Sequence, residues 1–105
     1  MSSSYLTVVT TTETREAAAK LAHAMVERRL AACAQVSAID SVYRWEGSVV
    51  ESREFRLVLK TRAALYDALE AAIVEAHDYD VPAVQAYPAT RTFDAYAEWI
   101  DDCTA

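Results

Sequence analysis

Between Ala34 and Thr61 the chain contains one glycine, Gly47, and no proline. Ala34–Trp45 and Ser48–Thr61 alternate or run apolar. The Glu46-Gly47 pair separates them, and Gly47 is free to take the positive φ that a tight hairpin turn needs. The segment therefore predicts one long β-hairpin. At ~3.3 Å per residue its arms reach roughly 40 Å. A domain of this length has a radius of gyration of ~13 Å and a diameter of roughly 33 Å. The tip must overhang its own core, yet it carries Ile39, Val42, Tyr43, Trp45, Val49 and Val50. Apolar side chains so placed need cover, and another copy of the chain is the expected cover.

The 105 residues suffice for a single domain, 1–105, with 1–4 expected as a disordered tail. Hydrophobic residues make up 53% and charged ones 25%, which excludes a disordered chain. The net charge of −6 argues against nucleic acid, which selects a basic face, and against an anionic membrane surface. No run approaches the ~18 apolar residues of a membrane span. Two cysteines and no visible signal peptide lead to the expectation of reduced thiols and a cytoplasmic protein.

Around the hairpin, Tyr5–Thr11 reads as a buried strand. Thr12 is expected to cap the following helix, with Glu13 and Glu16 in its first turn. Ala18, Leu21, Ala22, Met25 and Val26 form its apolar stripe, and Arg28 and Arg29 close it. In the second hairpin arm Phe55, Leu57 and Leu59 share one face, while Glu54, Arg56, Val58 and Lys60 share the other. A second helix is expected from near Thr61 to about His77, then a connection, then a short strand at Ala83–Pro88. Thr92 is expected to cap a last short helix. The order β-α-β-β-α-β plus a terminal helix predicts an α+β, ferredoxin-like antiparallel sheet with a long β2-β3 hairpin. Its second strand lies at an edge with only Asp40 and Arg44 as charges, an aggregation hazard unless it is paired.

Several segments in order resemble one family. They are Arg29-Leu30-Ala31-Ala32-Cys33, Tyr43-Arg44-Trp45-Glu46-Gly47, Glu54, Lys60-Thr61, His77-Asp78-Tyr79-Asp80-Val81-Pro82, and finally Tyr96 and Trp99. The pattern resembles that of the CutA divalent-cation tolerance proteins from about Tyr5 to Trp99. The resemblance implies a small cytoplasmic homotrimer with interlocked hairpins, tied to divalent-metal tolerance and copper binding. It brings no established catalytic reaction. Two departures stand out. The family's histidine is usually followed by proline, and here Asp78 follows it. Where other members carry a thiol in the first strand and a second histidine, this chain has Val9 and Ala76.

Cys33 and His77 are the candidate metal ligands. A Cys33 thiolate suits Cu(I) or Zn(II), and a buried small hydrophobe is the alternative. His77 is either a cleft residue for a metal or anion, or an imidazolium at a helix end. Glu54, Lys60, Tyr79 and Trp99 are candidate ligand-binding residues of a subunit cleft, or else ordinary surface and interface residues. His23 lies off its helix's apolar stripe, and Cys103 has no assigned role. No Cys-x-x-Cys, His-Glu-x-x-His, P-loop or Gly-x-Ser-x-Gly pattern is present, so no catalytic constellation is recognised.

Three functions fit these residues. The first is a trimer for divalent-metal (copper) tolerance, holding a cation or small ligand between subunits. The second is a signalling trimer of the PII kind, which binds a small anion through Lys60, Arg62 and His77 and contacts a partner protein. The third is an acylphosphatase-like hydrolase. It ranks last, because one glycine cannot build an anion cradle of backbone N–H groups.

Overall fold

A computed structural model of the chain describes residues 4–105. Of the expected tail, residues 1–3 lie outside the described residues, and the Ser4 carbonyl accepts a hydrogen bond from the Ala63 amide at 2.8 Å. The elements run β1 (Tyr5–Thr12), α1 (Arg15–Glu27), β2 (Cys33–Trp45), β3 (Ser48–Arg62), a 3₁₀ turn (Ala63–Leu65), α2 (Tyr66–Ala76), β4 (Val84–Pro88) and α3 (Asp94–Cys103). The strands form one antiparallel sheet in the order β2-β3-β1-β4, the ferredoxin-like arrangement expected.

The strand register sorts residues onto two faces, because residues paired across a sheet point the same way. Val8 opposes Leu59, and Thr10 opposes Leu57. These side chains meet Leu21 and Met25 of α1 and Leu69 and Ile73 of α2 in one buried core. The opposite row contains Cys33, Lys60, Thr7 and Tyr87 across all four strands. Of the helices, α3 packs on that face. Arg62 donates from Nε to Thr104 Oγ1 and from a terminal nitrogen to the Thr104 carbonyl, both at 2.8 Å. The Tyr5 hydroxyl donates to Asp101 at 3.0 Å.

The hairpin is as long as its sequence predicts. All thirteen residues of β2 pair with β3, Cys33 with Lys60 and Trp45 with Ser48. β1 covers only Phe55–Arg62 of β3. Ser48–Glu54 therefore extend without a third strand, an overhang of about 23 Å. The long axis of the molecule is 45 Å, against 28 and 22 Å for the others. At the tip Val42, Val49 and Trp45 are 65%, 63% and 62% exposed, so neither face of the ribbon is covered by the described residues. Glu46 (φ 49°) and Gly47 (φ 81°) both take the left-handed region. That is the demand of the two-residue turn whose twist matches a hairpin.

The helix ends differ from expectation. Thr14, not Thr12, caps α1, its hydroxyl accepting from the Ala17 amide at 3.1 Å. Thr12 remains in β1, and its hydroxyl donates to the Thr14 carbonyl at 2.8 Å. Arg28 and Arg29 lie beyond α1. Arg29 takes φ 60°, its amide bonds the Val26 carbonyl, and the Leu30 amide bonds the Met25 carbonyl. This is a Schellman ending, with an arginine where glycine is usual. The 3₁₀ turn delays α2 to Tyr66, and α3 starts at Asp94 after Phe93 without a side-chain cap from Thr92.

Candidate functional site

The expected site residues fall into two groups at opposite ends of the sheet. The first is at the end of β1. Glu54 is the first β3 residue past the last β1 pair, Thr12 with Phe55. Glu54 is only 9% exposed, and the Tyr79 hydroxyl donates to its carboxylate at 2.8 Å. Burial first, and the bond to Glu54 second, push the Tyr79 phenol well above its ordinary range. His77 is the C-cap of α2, as its place at the helix end led one to expect, with extended backbone (φ −79°, ψ 144°). Its Nε2 lies 2.7 Å from the Thr11 carbonyl, and its Nδ1 accepts the Tyr79 amide at 3.0 Å. The two rings stand 4.8 Å apart. His77 and Asp78 also border a groove of about 290 Å³ between α1 and the end of α2, with Lys20 on its rim.

The second group is at the other end. Cys33 shares a row with Lys60. Its Sγ is 3.8 Å from the Tyr96 hydroxyl, and Tyr96 stacks on Trp99 at 5.7 Å. Burial, then the contact with Cys33, raises the Tyr96 phenol to about 12. Lys60 makes no ion pair among the described residues. Arg62, expected beside it, is held by Thr104 instead.

The sheet keeps the groups apart. His77 bonds Thr11, whereas Cys33 lies in the row of Thr7, four residues back along β1 or about 13 Å. Glu54 and Lys60 are six residues apart on one strand, about 20 Å. His77 and Cys33 therefore do not fit one shared cation within a chain. Among the described residues no three His, Cys, Asp or Glu side chains are grouped as a metal would require. Lys60, Arg62 and His77 do not converge within a chain either. The Tyr79–Glu54 bond and the double use of His77 went unforeseen. Alternation along β3 places Glu54 on the face of Lys60, but nothing local names Tyr79 as its donor.

A profile of the family described as CutA1 divalent ion tolerance protein matches residues 6–103. This chain belongs to the CutA1 family. Protein CutA, chloroplastic, of Arabidopsis thaliana is 43% identical over 100 residues, which are 94% of this chain and 55% of that protein. The present chain thus spans little more than half of that relative. The structure of CutA from Synechococcus elongatus superposes with a TM-score of 0.96 at 30% identity, covering 99% of this chain and 93% of that one. That of the protein described as the periplasmic divalent cation tolerance protein CutA from Archaeoglobus fulgidus gives 0.94 at 28% identity, covering 96% and 99%.

The comparison with the periplasmic CutA of Archaeoglobus overturns one expectation, the cytoplasmic location. That inference rested on the lack of a visible signal peptide and on two thiols. Neither is paired, and nothing in the packing demands a reducing compartment, so thiol count does not fix where a CutA chain resides. Among the described residues no helix is long and apolar enough to cross a membrane.

Proposed function

We propose that the chain acts as a homotrimer in divalent-cation tolerance, copper foremost, and binds a cation or small ligand in the clefts where subunits meet. The overhanging hairpin carries this reading. Among the described residues its apolar tip beyond the core is uncovered, and the outer edge of β2 has no partner strand. A ring assembly removes both liabilities at once. Head-to-tail contact also sets the Glu54–Tyr79 end of one copy against the Cys33–Lys60–Trp99 end of the next. Residues that lie about 20 Å apart in one chain then share a cleft. Cys33, half-buried on the edge strand, supplies the soft donor that copper prefers.

Sedimentation velocity at micromolar concentration tests the assembly. A trimer is expected, and Trp45→Arg is expected to dissociate it. A stable wild-type monomer refutes the reading. Calorimetric titration with Cu(II) and Zn(II) tests the cleft. Heat is expected for the wild type and a loss for Cys33→Ser.

A second reading, a trimer of the PII kind that binds a small anion, is favoured by Lys60, which carries no counter-ion among the described residues. Native mass spectrometry of freshly purified protein separates the two. A retained anionic metabolite supports the second reading, and metal adducts alone support the first.

A further inference from the structure

We infer that His77 is a positioning residue and not a metal ligand: its imidazole clasps the end of β1 to the turn after α2 and so sets Tyr79 on Glu54. The chemistry of its two neighbours leaves one arrangement. A backbone carbonyl only accepts, so Nε2, 2.7 Å from the Thr11 oxygen, must carry the proton. A backbone amide only donates, so Nδ1, 3.0 Å from the Tyr79 nitrogen, must present its lone pair. Both demands are met by the neutral imidazole protonated at Nε2. The other tautomer breaks both bonds.

A metal ligand needs a free lone pair. Nε2 has none, and the Nδ1 pair is already given to the Tyr79 amide. A cation reaches this ring only by opening the turn from His77 to Tyr79. That turn has its own purpose. A side-chain acceptor at one residue bonded to the amide two residues on is the geometry of an Asx turn, here made by histidine. It holds Tyr79 where its hydroxyl meets Glu54 of β3 at 2.8 Å. Among the described residues no cation pairs with Glu54, a residue only 9% exposed, so this phenol is the side chain that satisfies its carboxylate. The inference goes beyond the cleft reading and does not need it.

Nitrogen-detected NMR of the histidine rings in the full-length wild-type protein at pH 8, before and after equimolar Zn(II), gives the first test. The expected result is a pyridine-like Nδ1 and a protonated Nε2 for His77, unmoved by zinc. An Nδ1–H tautomer, or a zinc-induced shift of Nδ1, overturns the inference. Amide exchange and calorimetry on two variants give the second. His77→Ala is expected to speed exchange of the Tyr79 amide roughly tenfold, the loss of one hydrogen bond. His77→Asn, whose Oδ1 can accept the same amide, is expected to restore most of that protection. Both variants are expected to bind Cu(II) and Zn(II) with the heat of the wild type. Loss of that heat in both, with Tyr79 exchange unchanged, refutes the positioning role. If the wild type itself takes up no metal, the cleft reading fails alone, since tautomer and exchange are still read.

Discussion

Replacing Thr10 with valine should stabilise the protein. Thr10 is fully buried at the centre of β1, between Leu57 of β3 and Val84 of β4, on the face covered by the helices. Its hydroxyl finds no hydrogen-bond partner among the described residues. An unsatisfied buried hydroxyl costs about 1–3 kcal/mol. Valine has the same shape and branching, so it fits without repacking and adds about 0.8 kcal/mol of apolar burial. Part of this surface is already covered in the unfolded ensemble, which lowers the sum to an expected gain of about 1–2 kcal/mol. With a urea slope of about 1.5 kcal/mol/M, the midpoint should rise by roughly 1 M. Chain concentration must be held fixed, because an oligomer's midpoint depends on it. Thr10→Ser is the control: it keeps the hydroxyl, loses the methyl, and should fall by about 1 kcal/mol. A Thr10→Val midpoint at or below the wild type, with unchanged slope, refutes the reasoning, since the hydroxyl would then be contributing a bond that the geometry does not show.

Truncating Leu57, which is fully buried beneath both helices, to alanine should cost about 2–5 kcal/mol in the same urea assay. Arg29→Gly should gain about 0.5–1 kcal/mol, because relief of a left-handed arginine outweighs the extra freedom of glycine when unfolded. Stability should fall above pH 10. The folded state holds the Tyr66 and Tyr96 protons to about 12, Tyr66 chiefly through its bond to Glu70, and that of Tyr79 higher still. Below the unfolded value near 10 their contribution is complete, and it is lost as pH rises towards 12, so urea midpoints should be flat from pH 7 to 9 and then decline. The melting temperature should exceed the ordinary mesophile range of about 45–65 °C and rise with chain concentration; a concentration-independent value within that range contradicts interlocked hairpins.

The hairpin was legible because its signal is redundant: two long strand-like arms and the only glycine of the chain between them. The same alternation assigned Leu57 and Leu59 to the core and Lys60 to the other face, as observed. Helix starts were harder to read. Thr12 and Thr14 are equally good caps by composition, and the choice fell to Thr14 because tertiary pairing with Phe55 holds Thr12 in the sheet. The α2 start was misplaced for a similar reason, since β3 pairing persists through Arg62 and a 3₁₀ turn must bridge the gap. The candidate site was only half legible. Its residues were named, but their division between two ends of the sheet depends on register, which fixes Cys33 opposite Lys60 and His77 beside Thr11. The bond from Tyr79 to Glu54 spans 25 positions, beyond any local pattern.

β3 runs unbroken from open solvent into the core, and the two-residue turn at its head sets its alignment with β2. One residue added at Glu46-Gly47 must be absorbed as a local bulge, or else Leu57 and Leu59 would trade places with Val58 and Lys60. Adding one residue to each arm leaves every interior position where it was and carries the tip outward by about 3.3 Å. Natural variation and engineering at this loop should accordingly change its length in steps of two.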